Sequence, residues 1–336
     1  MVVNNCPFCR PSSDDVIIAE TPHAIAICDA RPLCAGHVLI CPKNHFESMI
    51  DAPVWALNHV AALQYEIGCR ILHQFGEVGI YEHGRSSLWR FRTAPLDFRH
   101  AHVHALPVSD DVLRFAESRQ SWCSMPAERD LHGERDYFYQ ECSGTPLRKW
   151  AVSIAPSRSH CVRGLIEKAL EVRHSPSIPL AAAAAEHEGA IEQTVKALRS
   201  GLLPPLHSLA LAGIDKAVLR EVADELQDRL GWPIVEQDDP RQPPTTAIES
   251  MKDHQPMIVV SDGLSSARPP IALNVVLGDA TVLNRVMSWE LLRLISTGVP
   301  PKALADVILT TFELRNGWLS ERHSRISSPY VESIVG

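Results

Sequence analysis

His100-Ala101-His102-Val103-His104-Ala105-Leu106-Pro107 is the stretch from which the reading starts. Histidine and small apolar residues alternate through its first six positions, the period of a β-strand. Alternate side chains of a strand leave from one face, so His100, His102 and His104 are expected on the same side. Three imidazoles on one face have three uses: a surface cluster, a structural metal site, or a nucleophile with neighbours that set its tautomer. In the last, a neutral imidazole attacks an α-phosphorus and forms a covalent nucleotidyl-histidine, which splits one hard displacement into two easier ones. A neighbouring histidine can then hydrogen-bond phosphate oxygens or assist the leaving group.

Outward from this strand, the N-terminal half reads as an α+β unit. Val16 to Ala19, Ala24 to Cys28 and Gly36 to Lys43 are extended runs of a strand meander. From Pro53 to Phe75 apolar residues recur every three to four positions, with Pro53 suited to a first turn and Gly76 to a stop; this predicts one long helix. Val78 to Tyr81 is a short strand, Asp110 to Arg119 a helix, Ser121 to Gly133 irregular, and Tyr137 to Tyr139 with Trp150 to Ile154 a hairpin. Ser157 to Val172 reads as a helix carrying Arg163.

The chain has 336 residues, and at about 150 residues per domain that suggests two domains. Composition shifts between His174 and Pro205, where prolines and five alanines flank a helical segment at Ala190 to Leu198. The expected division is therefore 1–173, a linker at 174–205, and 206–336. In the last part, apolar runs at Leu206–Ala212, Pro233–Glu236, Met257–Val260 and Ala272–Leu277 alternate with helical segments, including Thr281–Ile295 and Pro301–Trp318. That pattern argues an α/β layer on a largely parallel sheet.

Net charge is −8, which excludes a broad basic nucleic-acid surface. No apolar run has the ~18 residues of a membrane span, and the first ten residues carry no signal core, so a cytoplasmic protein is expected. Of nine cysteines only Cys6 and Cys9 keep metal-ligand spacing; the other seven read as buried thiols.

His100-Ala-His102-Val-His104-Ala-Leu resembles the H-φ-H-φ-H-φ-φ signature of the histidine-triad (HIT) superfamily of nucleotide hydrolases and transferases. Cys6-Pro-Phe-Cys9 resembles the CxxC opening of its zinc-containing members. Asp29, Pro32 and Gly36-His37-Val38-Leu39-Ile40-Cys41-Pro42-Lys43-Asn44-His45 are similar to its D…GH-φ-L-φ-x-P-K-x-H segment, and Tyr81-Glu82-His83-Gly84 to an E-H-G variant. The likeness spans about residues 1–165 with the motif order kept. It implies an antiparallel sheet with one long helix and roles residue by residue. His102 would be the nucleophile and His104 the contact to the transferred phosphate. Asp29 would hold the ribose and Ile27 would lie against the base. Cys6, Cys9, His45 and His100 would hold a structural zinc. From local sequence alone Asp29 is equally a turn-initiating residue before Pro32.

Two departures bear on substrate. Ala94 to Arg99 replaces the family's Gly-Gln pair, with His83, Arg85, Ser86 and Ser87 as candidate replacements, and His160 stands for glutamine in a late S-Q-x-x-R-like segment. Further on, Leu209 to Leu219 resembles the opening of a P-loop nucleotide kinase, but Gly213, Lys216 and Ala217 do not make the GxxxxGK[ST] cradle. Residues 206–320 therefore resemble a kinase-like domain that has lost its ATP chemistry. The expected activity is nucleotidyl transfer or hydrolysis on a nucleotide conjugate or dinucleotide, releasing a nucleoside monophosphate. A nucleotide-binding sensor or scaffold is the alternative. HIT proteins commonly form dimers, so a homodimer belongs to the same set of expectations.

Overall fold

The computed structural model describes residues 6–9, 11, 16–84, 100–118, 122–125, 137–143, 145–153, 161–174, 180–200, 203, 206–213, 215–237, 256–262, 272–279 and 291–316. Its first sheet has eight antiparallel strands. In chain order these are β1 (Ile17–Glu20), β2 (Ala24–Cys28), β3 (Val38–Pro42), β4 (Gly79–Gly84), β5 (Val103–Leu106), β6 (Trp122–Met125), β7 (Tyr137–Cys142) and β8 (Thr145–Ser153). Across the sheet they run β1-β2-β3-β5-β4-β7-β8-β6. The expected hairpin is present as β7–β8, and the stretch expected to be irregular contains β6.

One face of this sheet packs on α1 (Val54–Phe75). Ala24, Ala26, Val38, Ile40, Ile80, Val103 and Ala105 meet Val60, Leu63, Ile67 and Ile71 of the helix in one core. The residues between them, Ile25, Ile27, Leu39, Tyr81 and His104, lie on the opposite face by the two-residue period of a strand. That opposite face carries the histidines. Gly76 ends α1 in the left-handed conformation at φ 85°, as its position predicted. The regular part of the histidine strand is shorter than expected. It begins at Val103, and before it the chain is tied by Ala101 N–H donating to the Phe46 carbonyl at 2.6 Å.

Two glycines are required by close approach. At Gly36, φ is 91° and a Cβ would stand 2.9 Å from the Phe75 ring. At Gly84 a Cβ would stand 2.0 Å from the Tyr137 ring, whose hydroxyl donates to Glu82 at 2.5 Å and so locks β7 against β4.

The remaining helices among the described residues are α2 (Asp110–Ser118), α3 (Cys161–His174), α4 (Leu180–Ser200), α5 (Lys216–Leu230) and α6 (Pro301–Asn316). The stretch expected to be a linker is thus largely helix, and α4 is packed: Ile191, Val195 and Leu198 join the α1 core. The buried Thr194 hydroxyl accepts the Gly36 N–H at 2.7 Å.

The second sheet holds β9 (Ser208–Gly213), β10 (Ile234–Gln237), β11 (Ile258–Asp262), β12 (Ala272–Gly278) and β13 (Leu291–Ile295), all parallel, in the order β10-β11-β9-β12-β13. The parallel sheet agrees with the sequence reading. The expected helix Thr281–Ile295 is corrected over its last five residues, which form β13 because Leu291, Leu292 and Leu294 gain a buried strand partner in β12; residues 281–290 lie outside the described residues. Short apolar runs do not distinguish strand from helix by period alone.

α1 serves both sheets. Its Ala62 and Tyr65 join the second core, and the Asn58 amide pairs with the edge of β13, donating to the Ile295 carbonyl at 2.9 Å and accepting its N–H at 2.8 Å. No helix among the described residues is long and apolar enough to cross a membrane.

His59, buried on α1, faces His23 with 4.8 Å between ring centroids, and its Nδ1 has no hydrogen-bond partner among the described residues. Burial, with smaller contributions from His23 and Lys43, pushes its pKa down from 6.5 to about 3. The unfolded chain therefore binds a proton that the folded chain refuses. Stability from this group is complete above about pH 6.5 and is lost as pH falls toward about 3. Between pH 6 and 4, urea unfolding should show wild type losing up to about 1.4 kcal/mol per pH unit more than His59→Leu. Parallel slopes in the two proteins would exclude this origin.

Candidate functional site

The chain's first described residues fold into a knuckle that returns Cys6 and Cys9 to the histidine strand. Cys6 Sγ lies 3.4 Å from His100 Nδ1, Cys9 Sγ 3.4 Å from the same atom, and Cys9 Sγ 3.6 Å from His45 Nδ1. All four donor atoms fall within 4.8 Å of one another. A tetrahedral zinc with bonds of about 2.3 Å to sulfur and about 2.0 Å to nitrogen separates such atoms by roughly 3.5 Å. The second nitrogen of His100 agrees: Nε2 donates to the Pro42 carbonyl at 2.7 Å, which leaves Nδ1 as a lone pair facing the thiols. The donors fit a closed metal site.

His102 is turned the other way. Its Nδ1 donates to the His100 carbonyl at 2.7 Å, so the proton is on Nδ1 and the Nε2 lone pair is available. Burial lowers its pKa, which keeps the ring neutral near pH 7. Phe8 of the knuckle stacks on it at 5.2 Å and 17°, so the same turn that supplies Cys6 and Cys9 sets the plane of the ring. His104 sits beside it, with ring centroids 4.9 Å apart, and is stacked against Tyr81 at 4.3 Å and 5°.

Behind His104 runs a polar chain. His37 Nε2 lies 2.9 Å from His104 Nδ1, and the Leu33 N–H donates to His37 Nδ1 at 3.1 Å. His37 is fully buried, and desolvation takes its pKa down to about 4. Asp29 Oδ2 is 3.6 Å from His37 Nδ1 and 2.5 Å from Arg163 Nη1, while Asp29 Oδ1 accepts the Arg31 N–H at 2.8 Å. Burial works to raise the Asp29 carboxyl, but His37 and the Arg163 guanidinium hold it below its ordinary value. Ile27 lies on the same sheet face in an apolar patch with Ile25, Leu39, Cys41 and Phe8.

The structure thus brings Cys6, Cys9, His45 and His100 into one cluster, and His102, His104, Asp29 and Ile27 onto one face beside it. Asp29 faces inward, with both oxygens engaged by the chain itself. Arg85, Ser86, Ser87, the stretch 94–99 and His160 lie outside the described residues. Two participants, His37 and Arg163, had no assigned role in the sequence reading. The Gly36-His37 turn was a local signal for the first; nothing local indicated that Arg163 would reach Asp29 from 134 positions away.

The HIT domain family model matches residues 10–110. Over 105 residues the chain is 30% identical to an uncharacterised HIT-like protein of Mycobacterium tuberculosis, covering 30% of this chain and 70% of that one. It is 28% identical over 119 residues to an uncharacterised 16.1 kDa HIT-like protein of Mycoplasma pneumoniae, covering 34% of this chain and 79% of the relative. Among solved structures it is similar to a zinc-bound histidine triad family protein from Mycobacterium smegmatis. There identity is 20% and the TM-score 0.25, over 50% of this chain and 95% of the other.

Proposed function

This chain belongs to the HIT domain family, and on that premise we propose that it is a nucleotidyl hydrolase or transferase acting on a nucleotide conjugate through His102. One observation carries the reading: His102 donates from Nδ1 to the His100 carbonyl, so its Nε2 is an unprotonated nucleophile, with His104 beside it. In the first step the Nε2 lone pair forms a bond to the α-phosphorus as the leaving-group oxygen or nitrogen departs with its bonding pair and takes a proton from solvent; the attacking water of the second step returns one to solvent. His104 Nε2–H hydrogen-bonds a phosphate oxygen as charge develops there. In the second step water attacks the same phosphorus and the N–P bond breaks. The products are a nucleoside monophosphate and neutral His102. The base would lie on the Ile27, Leu39 and Phe8 patch. Assaying adenylylated and other nucleotide conjugates for monophosphate release tests the activity; binding without release would favour the sensor reading instead.

Cys6, Cys9, His45 and His100 would hold zinc. Four protein ligands leave no open position, so the metal would supply structure, pinning Phe8 and the histidine strand. Purified protein should contain one zinc per chain by elemental analysis. Cys9→Ser should lose the metal and melt roughly 5–10 °C lower. Metal-free wild type with unchanged melting would overturn this assignment. Thiolate ligation also favours the cytoplasm, where thiols stay reduced.

We read residues 206–336 as a kinase-like α/β domain without ATP chemistry. The Asp215 carboxylate accepts from the Ala217 and Val218 N–H groups at 3.0 and 3.2 Å. It occupies donors at the start of α5 that a bound phosphate would need.

A further inference from the structure

The chain Arg163–Asp29–His37–His104 has a direction, and the direction decides whether His104 gives or takes a hydrogen bond. The Leu33 N–H fixes His37 Nδ1 as an acceptor, so the His37 proton is on Nε2 and is donated to His104 Nδ1. His104 must then carry its own proton on Nε2. The reverse chain gives up the Leu33 contact and needs His37 and Asp29 to close to hydrogen-bond distance. His37 would donate from Nδ1 to the Asp29 carboxylate 3.6 Å away, accept at Nε2 from His104, and leave His104 Nε2 without a proton.

Beside the Leu33 N–H, the state of Asp29 decides whether that reversal occurs. A buried carboxylate facing His37 with no cation would draw a proton to Nδ1. Here Arg163 brackets the turn: Nη1 donates to Asp29 Oδ2 at 2.5 Å and Nη2 to the Arg31 carbonyl. The Arg31 N–H takes Oδ1. A planar guanidinium suits this two-point hold, and its charge is permanent. We propose that Arg163 is a positioning residue which, by engaging the Asp29 carboxylate, fixes the direction of the His37–His104 hydrogen bond and makes His104 a donor from Nε2. Its bearing on turnover rests on the reading of His104 as the phosphate contact. On this account Asp29 is the pivot of the chain.

Long-range 1H–15N spectra of 15N-histidine protein, recorded without nucleotide, read the tautomers directly. Wild type should show the Nε2–H form at both His37 and His104; an Nδ1–H form at either overturns the proposal, whatever happens to the variants. Arg163→Gln should convert His104 to the Nδ1–H form. It should also lower kcat for monophosphate release by about a hundredfold, with KM changed less than about threefold. The double variant Asp29→Asn/Arg163→Gln removes the pull along with its counter-charge, and should regain the Nε2–H form. A double variant that keeps the reversed tautomer would show Arg163 to be a packing residue only. Because the spectra need no substrate, failure of the nucleotidyl reading would appear in the assays and leave the tautomer test intact.

Discussion

Turnover of nucleotide conjugates should fall by at least about a thousandfold in His102→Ala, while zinc content and melting temperature stay at wild-type values. His102 is the one histidine of the three whose Nε2 is left unprotonated by a backbone acceptor, the His100 carbonyl at 2.7 Å. His100 has Nε2 committed to Pro42, and the His37 bond makes His104 an acceptor at Nδ1. On the proposed mechanism, removing the imidazole removes the atom that bonds to phosphorus, and His100 and His104 have Nε2 and Nδ1 engaged by Pro42 and His37. The metal donors are untouched, so the fold is expected to hold. Quenching wild type during turnover of a 32P-labelled substrate should trap an acid-labile, alkali-stable phosphoramidate that His102→Ala lacks. Normal turnover in the variant would sink the nucleotidyl-histidine mechanism.

The largest stability effect is expected at Glu66. This side chain is wholly buried on α1, where Oε1 accepts from Arg70 Nε at 2.8 Å and Oε2 from Arg315 Nε at 2.7 Å. Arg70 also donates to the carbonyls of Leu198 and Leu314, at 2.6 and 3.1 Å. One carboxylate therefore balances two guanidinium groups and joins α1 to α4 and α6. Glu66→Ala would leave both cations buried beside each other and is expected to cost about 3–5 kcal/mol in urea unfolding. Glu66→Gln keeps the shape and should fall between the two. Replacing Glu66 and Arg315 together with methionine should recover part of the loss, since one of the two uncompensated charges goes as well. A loss below about 1 kcal/mol in Glu66→Ala would mean that the cluster is solvated rather than sealed.

These two sites differ in how far they could be read beforehand. The alternation around His102 and the Cys6/Cys9 spacing are local patterns, and a strand or a knuckle turns such patterns into geometry without outside help. The match of His45 and His100 to a metal set came through resemblance, and the structure places all four donors within 4.8 Å. Glu66 gave no such signal. It reads as a polar position in a long amphipathic helix, and only the arrival of α6 on the far side of α1 makes it a buried counter-ion. The same holds for β13: Leu291 to Ile295 is apolar enough for either a helix or a strand, and the open ladder of β12 decides. α4 shows it again. Its alanine-rich start suggested a connection, whereas Thr194 and Leu198 are fully buried against the first core.

The sequence by itself determined that three histidines would stand together along one short stretch, that two cysteines would close a knuckle, and that a long helix would follow. Each depends on spacing along a few residues, which backbone geometry converts directly into position. Only the tertiary structure decided what Asp29 touches. Nothing near it says that Arg163 will return from α3 to hold its carboxylate, or that His37 will stand between it and His104. Those contacts join residues up to 134 positions apart, and they form because helix and sheet bury apolar faces that carry the charged groups with them.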